Sequence, residues 1–215
     1  MFNRTTLLVL VAALFAGLGL WAAQRWFTPS APPQPKTEAV RLLPQPRPLP
    51  AFSLRQSDRT ALVPGELKGH WTVVFLGFTH CPDICPTTLA ELAQAQKQWS
   101  ALPEPVRPRV LFVSVDPERD TPERAGEYAH AFHPDTLAAT GDLPALEAFT
   151  RALGLVFMKV PPPAGAPADQ YSVDHSAALA VLDPQGRMAG VITPPLVPKQ
   201  IAADLLALTR ADERP

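Results

Sequence analysis

At 215 residues, with 47% hydrophobic and 18% charged residues, the chain is long enough for one domain with a sizeable core and is unlike a disordered polymer. Two cysteines exclude a disulfide scaffold, and a formal charge of −1, from 19 Lys+Arg against 20 Asp+Glu, provides no long-range field for holding nucleic acid. The unusual feature is proline, 27 against 11 glycines, with eight of those prolines between residues 29 and 50.

Residues 5–24 carry no charge and are flanked by Arg4 and Arg25. As a helix they extend roughly 30 Å, one hydrocarbon thickness. The expectation is a transmembrane anchor over residues 1–27, with Trp26 and Phe27 at the interface. A cleaved signal peptide is the competing reading, but Trp21 interrupts the small residues Gly19, Ala22 and Ala23 that a cleavage site needs. Arg4 and the amino terminus orient the segment with its N-terminus in the cytoplasm. The rest of the chain then lies on the extracytoplasmic side of a bacterial-type plasma membrane, held by a single pass. Residues 28–48 are Pro-rich with almost no apolar periodicity, which favours an extended polyproline spacer between anchor and domain.

Residues 49–215 alternate strand-like and helix-like segments. The run WTVVFLGF at 71–78 is nearly continuously apolar, as in a strand buried on both faces. A helix over 87–99, a buried strand over 109–115, helices over 121–132 and 143–153, and a strand over 155–160 follow. Strands at 177–182 and 188–192 flank Asp183-Pro184-Gln185-Gly186-Arg187, which has hairpin-turn chemistry, and a helix over 198–208 closes the pattern. The expected fold is α/β, a mixed sheet flanked by helices, its first strands parallel and its final hairpin antiparallel.

Both cysteines follow the first buried strand, in THCPDICPTTL at 79–89. Proline disfavours helical geometry in the residue before it, so Cys81 and Cys85 are expected outside the helix, with Pro86 in its first turn. Cys85 then meets the helix N-terminus, whose unpaired N–H groups lower a thiol pKa. Cys81 is free on the loop to swing toward it. A reactive dithiol at the carboxyl end of a strand has three uses: a structural disulfide, thiol exchange or a soft metal site. The structural disulfide is the weakest, because so short a loop restrains little chain entropy. His70, His80, His130 and His133 read as surface or helix-end residues, whereas His175 lies in the polar turn YSVDHS ahead of the strand at 177–182; if that strand runs beside the cysteine-bearing part of the sheet the turn faces the dithiol, and otherwise a lone loop histidine is simply solvated.

Three motifs together, GFTHCPDICPTTL, SVDPERDTPE and YSVDHSAALAVLDPQGR, resemble the Sco/SenC family of membrane-anchored, thioredoxin-like copper proteins. The resemblance covers roughly residues 50–207 and extends to the anchor-and-spacer layout. It implies a thioredoxin-like fold and a copper site, Cu(I) or Cu(II), with thiolates on Cys81 and Cys85 and an imidazole from His175. It also implies delivery of copper to the dinuclear copper A centre of cytochrome c oxidase, or reduction of that centre's cysteines. Partners would be the oxidase subunit carrying that centre, other copper chaperones or thiol-disulfide reductants, and the membrane through the N-terminal helix. Two thiolates suit Cu(I), and the added imidazole lets one pocket also hold Cu(II).

Asp116 and Asp174 are candidates for orienting the imidazole, although Asp116 before Pro117 also reads as a turn residue. Asp83 between the cysteines is either a docking charge or simply solvated. The second reading of the whole is a membrane-tethered thiol-disulfide oxidoreductase or redox sensor using Cys81 and Cys85 as a redox-active pair. Against it, thioredoxin oxidoreductases resemble one another in a proline just before the equivalent strand, where this chain has Asp174-His175-Ser176. A structural zinc module is disfavoured, since three protein ligands leave tetrahedral zinc one short.

Overall fold

The computed structural model describes residues 3–27 and 35–212. The chain divides into two compact units, residues 1–34 and 35–215. In the first, helix α1 (Arg4–Phe27) has no charged side chain between Arg4 and Arg25. Its 24 residues extend about 36 Å, long enough to cross a membrane. The interfacial role expected of the Trp26 and Phe27 side chains and the spacer at 28–34 lie outside the described residues.

The second unit is built on an eight-stranded mixed sheet. Its strands are β1 (Val40–Pro48), β2 (Leu54–Gln56), β3 (Ala61–Leu62), β4 (Thr72–Gly77), β5 (Arg109–Ser114), β6 (Thr136–Thr140), β9 (Leu179–Leu182) and β10 (Arg187–Ile192). Two further strands, β7 (Phe157–Val160) and β8 (Ser172–His175), pair antiparallel as a separate hairpin. The main sheet runs β1-β10-β9-β4-β5-β6-β2-β3. Helices α2 (Ile84–Trp99), α3 (Pro122–His130), α4 (Leu143–Leu153) and α5 (Pro198–Asp212) complete the unit.

β4 and β5 pair in parallel, as do β5 and β6, and β9 and β10 form the expected antiparallel hairpin through the turn at 183–187. All six β4 residues are buried, which is why an uninterrupted apolar run occupies this place in the sheet. α4 starts on an Asp142 side chain that accepts from the Ala145 amide and ends at Gly154, whose φ of 72° is the left-handed conformation of a helix stop.

The stretch 40–48, assigned by its prolines to the spacer, is instead strand β1, hydrogen-bonded to β10. β1 is an edge strand, and its register slips between Leu42 and Arg47, across Pro44 and Pro46. An edge with an irregularity is where a strand tolerates residues that cannot donate to the ladder. Its entry is held from the opposite layer: the Asp204 carboxylate, buried on α5, accepts the amides of Glu38, Ala39 and Val40 at 2.7–3.1 Å. The ordered unit therefore begins well before residue 49.

Asp204→Ala strands those donors and is expected to lower unfolding stability by about 3 kcal/mol, the range for losing hydrogen bonds to a buried charged group. Urea denaturation should show a lower midpoint, and an unchanged midpoint would mean the carboxylate holds nothing together.

Candidate metal centre

The site forms where β4 ends. β9 lies antiparallel on β4 with Val74 opposite Ala180 and Thr72 opposite Leu182, so the start of β9 sits beside the carboxyl end of β4. His175 is four residues before Leu179 and is thereby delivered to the loop that carries the cysteines. The two Sγ atoms of Cys81 and Cys85 and a ring nitrogen of His175 lie within 4.8 Å of one another, with Cys85 Sγ 3.5 Å from His175 Nε2. Both cysteines are free thiols.

The sequence expectation placed both cysteines outside the helix, but α2 begins at Ile84 and takes Cys85 into its first turn. Pro86 follows in that same turn, where a missing amide forfeits no helical hydrogen bond. Asp83 occupies the cap position without a side-chain cap bond. The orphan amide of Cys85 donates instead to Cys81 Sγ at 3.4 Å. The helix N-terminus therefore supports the sulfur of Cys81, not that of Cys85. Cys85 is fully buried, and desolvation, reinforced by the contact with Cys81, pushes its thiol pKa well up from the ordinary value. This corrects the expectation that helix position lowers it.

His175 is also largely buried, and burial pushes its imidazole pKa down, so the ring is neutral at pH 7. Nδ1–H donates to the carbonyl oxygen of Ser176 at 3.2 Å, which fixes the tautomer and leaves the Nε2 lone pair directed at the sulfurs. Phe75 and Phe78 meet the ring edge-on, with centroids at 5.9 and 6.3 Å. The Ser176 carbonyl is a backbone group, so no residue type in the sequence could have pointed to it.

Neither candidate aspartate holds the imidazole directly. The Asp116 carboxylate accepts from Tyr171 Oη at 2.6 Å and from Arg119 Nε at 2.5 Å. Asp174 is exposed on the hairpin, where with Asp83, Ile84 and Ala177 it lines a cleft that Cys81 and His175 also border. His80 lies away from the three donor atoms; its Nδ1 is 3.8 Å from the buried Asp120 carboxylate. His70, expected at the surface, is buried with Nδ1 on the Arg107 carbonyl.

Gly77, the last residue of β4, was not singled out from the sequence, yet it makes room for the thiol. A Cβ there would lie 2.9 Å from Cys85 Sγ and 2.8 Å from the Phe112 ring. Its signal in the sequence is a glycine closing an otherwise apolar buried strand, a mark of close approach.

A central sheet with parallel β4-β5-β6, antiparallel β9-β10, flanking helices and a CxxxC at the end of β4 defines a thioredoxin-like α/β protein, here with a histidine facing the cysteine pair. The SCO1/SenC family model matches residues 43–210, and the chain belongs to that family. It is 37% identical over 189 residues to the mitochondrial SCO2 homolog of Bos taurus, covering 85% of this chain and 67% of that one. Among solved structures, copper-bound ScoI of Bradyrhizobium japonicum superposes with a TM-score of 0.64 at 32% identity, covering 73% of this chain and 96% of that one. Apo Sco1 of Thermus thermophilus superposes at 0.67 with 35% identity, covering 80% and 97%.

Gly77→Ala forces a methyl against the sulfur and the Phe112 ring. Overpacking of this kind is expected to cost about 1–3 kcal/mol. It should also make Cys85 react faster with a thiol reagent in the native protein; unchanged stability and labelling rate would mean the strand end yields without disturbing the thiol.

Proposed function

We propose that the protein is a membrane-anchored copper carrier whose cargo is held by Cys81, Cys85 and His175. It works on the extracytoplasmic side of a plasma membrane, in assembly of the dinuclear copper A centre of cytochrome c oxidase. The single observation carrying this reading is the convergence of two thiol sulfurs and one neutral imidazole nitrogen from two segments far apart in the chain. Two soft sulfurs with one imidazole suit Cu(I) and tolerate Cu(II), and the donor atoms lie close enough together to share one ion. Family membership and the copper-bound relative of Bradyrhizobium japonicum support the choice of metal.

The residues divide the labour of capture and release. Cys81 is half-exposed at the mouth of the cleft, whereas Cys85 is sealed inside. Exchange with a partner's thiolate begins at Cys81, with Cys85 and His175 retaining the cargo until the partner's ligands have replaced the outer one. Binding displaces the Cys85 proton, so capture releases protons to solvent. α1 supplies the membrane span, and residues following it give the reach to a membrane-bound oxidase.

Reduction of a partner disulfide is the second reading, favoured by the accessibility of Cys81 and the helix amide directed at its sulfur. In that reaction two thiols of this chain become a disulfide, while two electrons and two protons convert the partner's disulfide to thiols.

The full chain in detergent, reduced and titrated with Cu(I) against a competing chelator, should bind one ion per chain. Cys85→Ser should abolish that binding. His175→Ala should weaken Cu(II) by at least ~100-fold and remove the Cu(II)–thiolate absorption band of the native site. Absence of stoichiometric copper would overturn the carrier reading. Turnover of a disulfide that survives His175→Ala but not Cys85→Ser would establish the reductase instead.

A further inference from the structure

His175 reaches the site on a hairpin that is not part of the main sheet. β7 and β8 pair only with each other among the described strands, and they are joined by the Pro-rich stretch 161–171. A two-stranded ribbon has little stability of its own in water. The chain ties its His175 end to β9 through three residues, so something must hold the far end, at Val160 and Ser172, against the body of the domain to keep His175 steady 3.5 Å from Cys85.

Four hydrogen bonds do so, all from the turn that follows β5. Arg119 Nη1 donates to the carbonyls of Asp169 and Tyr171 at 3.2 and 3.0 Å. Tyr171 Oη donates to Asp116 at 2.6 Å, and Lys159 Nζ to Glu118 at 2.6 Å. The Tyr171 ring is itself clamped between two cations, with the Arg119 guanidinium 3.7 Å and the Lys159 ammonium 3.8 Å from its centroid.

Arg119 is the centre of this cluster. Its Nε is tied to Asp116 and its side chain is mostly buried, while Nη2 is buried without a hydrogen-bond partner. The Phe78 ring, 5.7 Å from the guanidinium carbon, is the same ring that meets His175 edge-on. One guanidinium therefore touches both the loop end of the arm, where Asp169 and Tyr171 lead into β8, and the aromatic wall beside the histidine at its other end. Arginine suits the position because its planar fork donates in several directions while stacking on a ring, which a lysine ammonium cannot do.

We propose that Arg119, with Asp116 and Tyr171, is a positioning cluster that docks the β7-β8 arm and so sets whether His175 is available as the third ligand. Asp116 thus acts on the imidazole through the arm, about 13 Å of strand away from Tyr171 to His175, and not by contact with the ring. With the cluster intact the site offers three donors and holds Cu(II). With it loosened, the arm lifts, the cysteine pair remains, and the site keeps Cu(I) while losing Cu(II). Selectivity between oxidation states then resides in residues that touch no metal. The proposal rests on His175 as a copper ligand.

The test compares Tyr171→Phe, which removes one hydroxyl and keeps the ring, with Arg119→Lys, which keeps the charge beside Asp116 and loses the fork. In the full chain in detergent, each should weaken Cu(II) by ~10-fold or more and broaden its electron paramagnetic resonance and thiolate absorption signals. Cu(I) affinity should change less than about threefold in the same variants, since both sulfurs stay in place. In a His175→Ala background Tyr171→Phe should have no additional effect on Cu(II), because the ligand it positions is gone. An equal loss with and without His175, or equal losses of Cu(I) and Cu(II), overturns the proposal. Amide hydrogen exchange on the metal-free chain reads the arm without copper. Faster exchange at residues 157–160 and 172–175, with 72–77 unchanged, is expected in both variants. Unaltered exchange overturns the cluster even if copper binds, while a wild-type chain that binds no copper defeats the carrier reading and leaves exchange to decide the clamp.

Discussion

The antiparallel seating of β9 on β4 is the constraint from which the site follows. β4 is buried on every residue, so its register against β5 and β9 is fixed by the core, and a slip of one residue would turn its side chains to the wrong face. With that register set, two segments far apart in sequence must meet: the loop leaving β4, which holds the cysteines, and the approach to β9, which holds His175. Sheet pairing thus brings the two segments side by side, and the helix start and the hairpin then set the donor atoms within them. This placement at the carboxyl end of a central strand is where open α/β sheets keep their sites.

The two cysteines differ because the same helix start treats them differently. Cys81 precedes the helix, remains half-exposed and receives an amide hydrogen bond on its sulfur. Cys85 sits in the first turn with its side chain turned into the core, beside a glycine that leaves just enough volume. Exposure and desolvation therefore make the two sulfurs of one dithiol unequal, the difference that the proposed carrier uses for entry and retention. Local sequence contains both residues at the right spacing, but this asymmetry appears only once the sheet supplies the wall behind Cys85.

Much of the domain was legible from its sequence because the central strands and long helices carry strong patterns. The apolar runs at 71–78 and 109–115 are β4 and β5, and 143–153 matches α4. What escaped is instructive in each instance. β1 was hidden by Pro44 and Pro46, which an edge strand with a register shift accepts. β8 was read as a polar turn because its outward residues, Ser172 and Asp174, alternate with Val173 and His175, and histidine does not register as a core residue. Cys85 was placed outside the helix by a rule on residues before proline, which the first turn overrode. Asp116 was selected as a group near His175, but its partners, Tyr171 and Arg119, became visible only with the hairpin docked.

That hairpin also explains why the proline excess matters beyond the spacer. Pro161, Pro162, Pro163 and Pro167 lie in the connection between β7 and β8, where restricted backbone freedom reduces the entropy lost when the connection is ordered. A stiff connection keeps the two strands of a marginal ribbon together without a sheet beside them. The turn after β5 holds the ribbon at its loop end through Asp169 and Tyr171, while His175 sits at the other end, where the chain runs on into β9. On the proposed reading, the availability of His175 at the far end of β8 depends on one charged cluster and one aromatic ring. A hairpin outside the main sheet is thereby held at both ends, by the run into β9 at His175 and by the turn after β5 at Tyr171.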